Sequence, residues 1–327
     1  MGGRFFEGWY YRVTLPQIGQ SFAFMYSLED PAGSTYQGGA IQVLGPDDSY
    51  QWRSLPNLDL FWASYSRLAL AHWRHGQAPA GYLDEDSFFK RVSEGYQASD
   101  RLNQGAFLDV TTGQWTRWHY QIQPVYTWGK PLGGWLSFLS IADPGWQVLL
   151  AYGQATGWIE WQGRVYNFQA APAYIEKNWG GSFPRDWFWL QCNSFIDTQD
   201  LAVTAGGGER DLLWWQERLG MVGIHYQGKF YEFAPWQSQI RWQIKPWGEW
   251  HMQATRSDYQ VTLRGWSDRP GSPLRTPTKN GLVWSCRETL LGNLTLRLSR
   301  GDRLIIEAHS HLAGLEVGGI TSILQKS

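Results

Sequence analysis

Apolar and polar positions alternate along most of this chain. Trp9-Tyr10-Tyr11-Arg12-Val13, Ser21-Phe22-Ala23-Phe24-Met25-Tyr26, Trp115-Thr116-Arg117-Trp118-His119-Tyr120, Arg241-Trp242-Gln243-Ile244 and Leu294-Thr295-Leu296-Arg297-Leu298 set aromatic and β-branched residues at a period of two. Successive side chains of a strand point to opposite faces, so this period predicts strands with one face buried. Short breaks containing glycine, such as Trp161-Gln162-Gly163-Arg164 and Tyr226-Gln227-Gly228-Lys229, predict tight hairpins, because glycine supplies a positive φ at no steric cost. Helical spacing is confined to Glu85–Val92 and the stretch around Leu212–Arg218. The expected fold class is all-β and antiparallel, with little helix.

The pattern also repeats weakly. Trp9-Tyr10-Tyr11 followed by Gln20-Ser21-Phe22-Ala23-Phe24 has a counterpart, about 178 residues on, in Trp187-Phe188-Trp189 followed by Gln199-Asp200-Leu201-Ala202-Val203. So long a period suits two related domains rather than a solenoid. It predicts a first domain over 1–172, a junction over 173–184 and a second domain over 185–327. A junction of this kind is where ligand sites concentrate.

Composition narrows what such a site would hold. The 327 residues include 22 Trp, 16 Tyr and 15 Phe, and only 17% are charged, against about 25% in a typical soluble domain. Many of these rings must fill a β core, and the surplus suits an aromatic cavity for a long apolar or planar ligand. The 28 basic and 29 acidic residues balance without a Lys/Arg run, which argues against a nucleic-acid surface. Two cysteines, Cys192 and Cys286, lie too far apart for metal-ligand spacing or a disulfide framework and fit a reducing compartment. Neither a run of about 18 apolar residues nor a signal peptide is encoded.

Two acids lie inside aromatic blocks. In Tyr174-Ile175-Glu176-Lys177-Asn178-Trp179, an extended backbone puts Tyr174, Glu176 and Asn178 on one face and Lys177 on the other. A carboxyl beside indoles and away from water keeps its proton to higher pH and can donate it; a structural ion pair with a nearby Arg or Lys is the alternative. Glu7, in Phe6-Glu7-Gly8-Trp9-Tyr10-Tyr11, shares parity with Trp9 and Tyr11 and points with them into a cavity or pairs with Arg4 or Arg12. His309-Ser310-His311 lacks a third ligand nearby, so no metal is expected. Gly206-Gly207-Gly208 lacks the Lys-Ser/Thr of a phosphate loop and reads as a turn. No G-x-S-x-G elbow occurs. A glycosidase with paired carboxylates is compatible with a Trp-rich β protein, although the aromatics suit a hydrocarbon better.

Longer blocks carry a resemblance. FFEGWYYRVTLP (Phe5 to Pro16), SFAFMYSLEDP (Ser21 to Pro31), EKNWGGSFPRDWFWLQCN (Glu176 to Asn193), TAGGGER (Thr204 to Arg210), HYQGKFYEFAPW (His225 to Trp236), GSPLRTPT (Gly271 to Thr278) and LEVGG (Leu315 to Gly319) together resemble the tocopherol cyclase family over nearly the whole chain. The resemblance implies two lipocalin-like barrels, in agreement with the internal repeat, and kinship with carotenoid hydratases and fungal cyclases. It implies a protein of photosynthetic organisms that closes a phytyl hydroquinone into a chromanol. The chain opens at the FFEGWY block and closes soon after LEVGG, without the GPWFGTW-like segment usual in the family, which fits a bacterial member or a trimmed chain.

That reaction adds a phenol O–H across an alkene, so it needs an acid and a dry pocket but no cofactor. The expected catalytic residues are Glu176 and Glu7, with Tyr174 and Asn178 orienting the acid or the phenol; Trp9, Tyr11, Trp179, Trp187 and Trp189 are expected to bind the substrate. The expected partner is an apolar prenyl hydroquinone, met by peripheral attachment to a thylakoid membrane; no nucleic acid and no obligate protein partner are expected. A lipocalin-like carrier of quinones or isoprenoids would need the aromatics without the acid, and an isoprenoid hydratase would use water in place of the phenol.

Overall fold

The computed structural model describes residues 5–30, 38–79, 81–128, 144–181, 183–212, 215–278 and 281–319. Eleven strands form the first antiparallel sheet: β1 (Phe5–Leu15), β2 (Gln20–Asp30), β3 (Gly38–Leu44), β4 (Tyr50–Leu55), β5 (Phe61–Ala63), β6 (Ala69–Trp73), β7 (Gly95–Ser99), β8 (Leu102–Leu108), β9 (Trp115–Tyr126), β10 (Gly145–Trp161) and β11 (Arg164–Gly180). Their order is β4-β3-β2-β1-β11-β10-β9-β8-β7-β6-β5, with α1 (Glu85–Arg91) between β6 and β7. A second sheet of ten contains β12 (Asp186–Cys192), β13 (Leu201–Leu212), β14 (Trp215–Tyr226), β15 (Lys229–Phe233), β16 (Gln239–Ile244), β17 (Glu249–Arg256), β18 (Tyr259–Trp266), β19 (Ser272–Thr278), β20 (Gly281–Arg300) and β21 (Arg303–Gly319). It runs β15-β14-β13-β12-β21-β20-β18-β17-β16, with β19 paired to β20.

The two orders are the same path walked twice, each unit's first strand lying between its second and its last. The internal repeat therefore reflects a duplicated topology. The changeover between sheets falls between Gly180 and Asp186, so most of the predicted junction is the last strand of the first sheet.

Both sheets curl around ring-filled cores. In the first, Leu55 of β4 shares one cluster with Tyr96 of β7 and Trp118 of β9. Across the same gap Thr116 donates to Gln51 at 2.5 Å, and Arg53 pairs with Glu94 at 2.8 Å. Contacts between strands so distant in the sheet order curl it round on itself as a lipocalin-like barrel. The barrel interiors are thus packed core.

Alternation on β1 and β12 decides what faces outward. Trp9, Tyr11 and Val13 enter the first core, and Phe188, Leu190 and Cys192 the second. Tyr10 and Arg12, with Trp187, Trp189 and Gln191, are left on the faces that the two units turn toward each other. Matching inward with inward pairs Tyr10 with Trp189 and Arg12 with Gln191, an offset of 179 residues rather than 178. A one-residue slip exchanges every side chain between faces, so this correction moves the aromatic pair from the barrel interior to the seam.

Both predicted hairpins form, with positive φ at Gln162 (51°) and Gly163 (76°) and at Gln227 (49°) and Gly228 (72°). The helix expected over Glu85–Val92 is present, its first turn capped by the Asp84 side chain accepting from the Ser87 N–H at 2.9 Å. The one expected around Leu212–Arg218 is not: β13 ends there and β14 begins, with Leu212 paired to Trp215 and Glu209 to Arg218. Short apolar runs look alike in helix and strand, and here cross-strand partners settled the choice. Gly206-Gly207-Gly208 is also not a turn but the middle of β13, paired on both sides.

Candidate active site

A cavity of about 230 Å³ lies between the units, lined mainly by carbon. Phe6, Gly8 and Tyr10 of β1 reach it, as do Trp187 and Trp189 of β12 and Trp146 of β10. The three glycines of β13 form part of its wall. A Cβ on Gly207 would stand 2.7 Å from the Phe188 ring, so the missing side chains let backbone and ring approach closely.

Glu176 is the acid of this cavity. It is buried, and three donors converge on its Oε2: the Tyr174 hydroxyl at 2.6 Å and the indole N–H groups of Trp146 and Trp189, each at 2.9 Å. Asn178 Nδ2 lies 3.4 Å from Oε1. Tyr174, Glu176 and Asn178 do share one face of β11, while Lys177 turns the other way, as an extended chain requires. Burial raises the Glu176 pKa above the usual carboxylate range, against the pull of its four donors. With Oε2 saturated, a proton on this carboxyl sits on Oε1.

The sequence-predicted residues divide by face. Glu176, Asn178, Trp187 and Trp189 line the cavity, and Tyr174 holds Glu176 from behind; Trp9 borders the cavity along β1, but its ring packs in the first core. Glu7, Tyr11 and Trp179 lie elsewhere. Tyr11 belongs to the first barrel's core. Glu7 forms an ion pair with Lys177 rather than with Arg12, Arg4 lying outside the described residues, and the ammonium lies 5.6 Å from the Trp9 ring centroid and 5.4 Å from that of Trp179. The parity that Glu7 shares with Trp9 and Tyr11 is the parity of the barrel interior.

Several groups escaped the sequence reading. Glu316 of β21 lines the cavity and accepts from Trp187 Nε1 at 2.5 Å. Glu288 lies opposite it on β20 and accepts from the Tyr10 hydroxyl at 2.5 Å, its other oxygen buried without a hydrogen-bond partner. Cys286, in the lining, is buried and has its thiol pKa raised by that burial. Arg275 is the cation of the lining among the described residues, its guanidinium 3.8 Å and 3.9 Å from the rings of Trp52 and Trp284. Extending the repeat to the last strand of each unit would have found Glu316: Glu176 lies opposite Tyr10, and Glu316 opposite Trp189.

Polar staples hold the seam around this site. Asp48 accepts from Thr289 Oγ1 at 2.6 Å and Leu290 N–H at 2.8 Å. Gln42 and the Arg275 backbone bond reciprocally at 2.9 and 3.1 Å.

Burial raises the Glu288 pKa well above the carboxylate range, and the Glu316 charge opposite adds to this; Glu316 itself is pushed up to about 7, chiefly by burial. Such groups bind protons more tightly folded than unfolded, so their contribution is full below about 4.5 and is lost as pH rises through the raised folded-state pKa of each, about 7 for Glu316. Glu288→Gln keeps an acceptor for Tyr10 and puts an amide donor opposite Glu316. We expect it to raise unfolding free energy at pH 8 by about 1 kcal/mol and to flatten the decline between pH 5 and 8 in urea titrations. An unchanged slope would mean that the carboxyl pair does not set the pH dependence.

Two curled sheets that meet on a carbon-lined cavity with a buried acid define a double-barrel protein able to present a proton to an apolar ligand. Residues 3–319 match the family model for tocopherol cyclase-like proteins, and this chain belongs to that family. It is 39% identical over 354 residues to a probable chloroplastic tocopherol cyclase of Oryza sativa subsp. japonica, covering 96% of this chain and 75% of that protein. The chloroplastic tocopherol cyclase of Zea mays is 38% identical with the same coverage. Among solved structures, one assigned as AttH from Nitrosomonas europaea matches with a TM-score of 0.51 at 11% identity, over 96% of this chain and 92% of that one. That likeness speaks for the fold alone.

Proposed function

We propose that this protein is an isomerase that closes a phytyl-substituted hydroquinone into a chromanol. Glu176 protonates the alkene, and the phenol oxygen bonds to the more substituted carbon. One observation carries the assignment of the acid: a buried carboxyl in a carbon-lined cavity, with Oε2 saturated by three donors and Oε1 left to carry the proton. Protonation creates tertiary-cation character, which water would quench. The rings of Tyr10, Trp187 and Trp189 exclude water and present π-faces, each desolvated contact worth on the order of 1–2 kcal/mol. Holding the folded prenyl chain over the ring would add several kcal/mol through near-attack geometry.

The test is anaerobic incubation with 2,3-dimethyl-5-phytylhydroquinone in deuterated water, followed by mass spectrometry. A chromanol of one handedness with one non-exchangeable deuterium is the expected product. Unchanged hydroquinone that co-purifies with folded protein would support a carrier instead. Because Glu7 is paired with Lys177 away from the cavity, Glu7→Gln should leave the rate within about twofold of the parent, as loss of a partly exposed ion pair usually does. A hundredfold loss in folded protein would return Glu7 to the mechanism.

Among the described residues no helix is long and apolar enough to cross a membrane. Phe5 and Trp284, each 42% exposed, and Trp236 at 57% neighbour the lining residues Phe6, Leu282 and Pro235 in the chain. We place the protein at the surface of the thylakoid membrane, with these aromatics in the lipid interface so that the substrate enters from the bilayer. Flotation with galactolipid vesicles should weaken on replacing Trp236 and Trp284 by serine; unchanged flotation would count against this orientation.

A further inference from the structure

Cyclisation moves one proton from oxygen to carbon. The alkene gains a proton from an acid, and the phenol oxygen, once bonded to carbon, must lose one to a base. We propose that Glu316 is that base, an inference that rests on the cyclase reading above. Glu176 and Glu316 line the same cavity from the last strands of the two units, and Trp189 braces both: its indole N–H donates to Glu176, and its backbone is paired in register with Glu316.

The surroundings of Glu316 suit a carboxylate. The Trp187 indole N–H fixes Oε1, and that ring is itself set by Gly318, where a Cβ would stand 2.0 Å from it. The titratable groups packed around Glu316 are Glu288 and Cys286 from β20 and Glu176 from β11. Burial raises the pKa of all three, and Glu316 is pushed up to about 7, chiefly by burial, with the Glu176 charge adding to the rise against the pull of the Trp187 N–H. A cavity that presents one carboxyl to give a proton and a second to take one has what a proton transfer in both directions needs.

The balance closes without a further reactant. The alkene π bond and the phenol O–H break, one C–H and one C–O bond form, Glu176 leaves as carboxylate and Glu316 as acid. When product departs, water entering the cavity returns the proton from Glu316 to Glu176.

Labelling in deuterated water separates the roles. In Glu316→Gln, Glu176 still protonates the alkene, but closure lacks its base. The cation then reverts, so chromanol formation should fall by about 100-fold or more while recovered hydroquinone accumulates carbon-bound deuterium. Glu176→Gln should return unlabelled hydroquinone. For the parent, kcat/KM should fall as pH drops below about 7, because the base must be ionised. Trp187→Phe removes the donor that favours the carboxylate, so that limb should move up by about one pH unit, a readout available even if Glu316→Gln does not fold.

Near-parent turnover by Glu316→Gln, unlabelled hydroquinone from folded Glu316→Gln, or an unmoved limb in Trp187→Phe would each overturn the assignment. Failure of the parent protein to make deuterated chromanol would instead remove the cyclase reading itself.

Discussion

Glu176→Gln is expected to lower kcat for chromanol formation by about 10²- to 10⁴-fold, the range that general acid catalysis contributes, in a protein that remains folded. The substitution is nearly isosteric. An amide oxygen still accepts from Tyr174, Trp146 and Trp189, so the burial and donor pattern around the position are retained. What disappears is the proton on the second oxygen, because an amide nitrogen does not transfer one to an alkene. The loss should therefore fall on kcat, with KM little changed, and recovered hydroquinone should carry no deuterium. Circular dichroism and the thermal midpoint serve as the folding control. Near-parent turnover in a folded variant would sink Glu176 as the donor and leave Glu316 as the next candidate.

The largest effect on stability is expected at Arg12. This side chain is fully buried at the seam, and its guanidinium donates to the Gln191 carbonyl at 3.1 Å, Gln191 Oε1 at 2.6 Å, Ser21 Oγ at 3.3 Å, the Leu290 carbonyl at 3.1 Å and the Leu312 carbonyl at 2.7 Å. These partners lie in both units, so one cation ties β1 to the second sheet. Arg12→Met keeps most of the length while leaving three backbone carbonyls without this donor, and it removes the positive charge that eases ionisation of Glu288. Breaking a buried charged network from one side costs about 3–5 kcal/mol. That is a large share of the 5–15 kcal/mol that stabilises a typical domain. Urea denaturation monitored by tryptophan fluorescence would measure it, and a loss below about 1 kcal/mol would show that the guanidinium is dispensable to the seam.

Much of the candidate site was legible at the level of a single strand. That Tyr174, Glu176 and Asn178 share a face follows from extended geometry, and the structure brings all three together at one carboxyl. Lys177 on the opposite face follows equally, and so does its availability to Glu7. The direction of each face did not follow. Trp9 and Tyr11 look as well suited to a ligand cavity as Tyr10, yet they enter the first core while Tyr10 meets Trp189 edge-on, with ring centroids 5.3 Å apart. Gly206-Gly207-Gly208 shows the same limit, since a glycine run marks a turn or a close approach alike until a partner such as Phe188 is in place.

Local sequence by itself determined that this chain is antiparallel β, where its Gln-Gly hairpins turn, that its topology is duplicated, and that Glu176 lies among aromatics. These depend on period-two alternation, on the φ preference of glycine and on side-chain chemistry, all of which act within a few residues. Only the tertiary structure decided that the cavity lies between the barrels, and that Glu288 and Glu316 join Glu176 there beside Tyr10 and Arg12. Residues more than 100 positions apart meet at that seam. Which of two amphipathic faces is buried inside a barrel, and which against its twin, is set by how ring volumes fill each closed sheet. No short window of sequence contains that information.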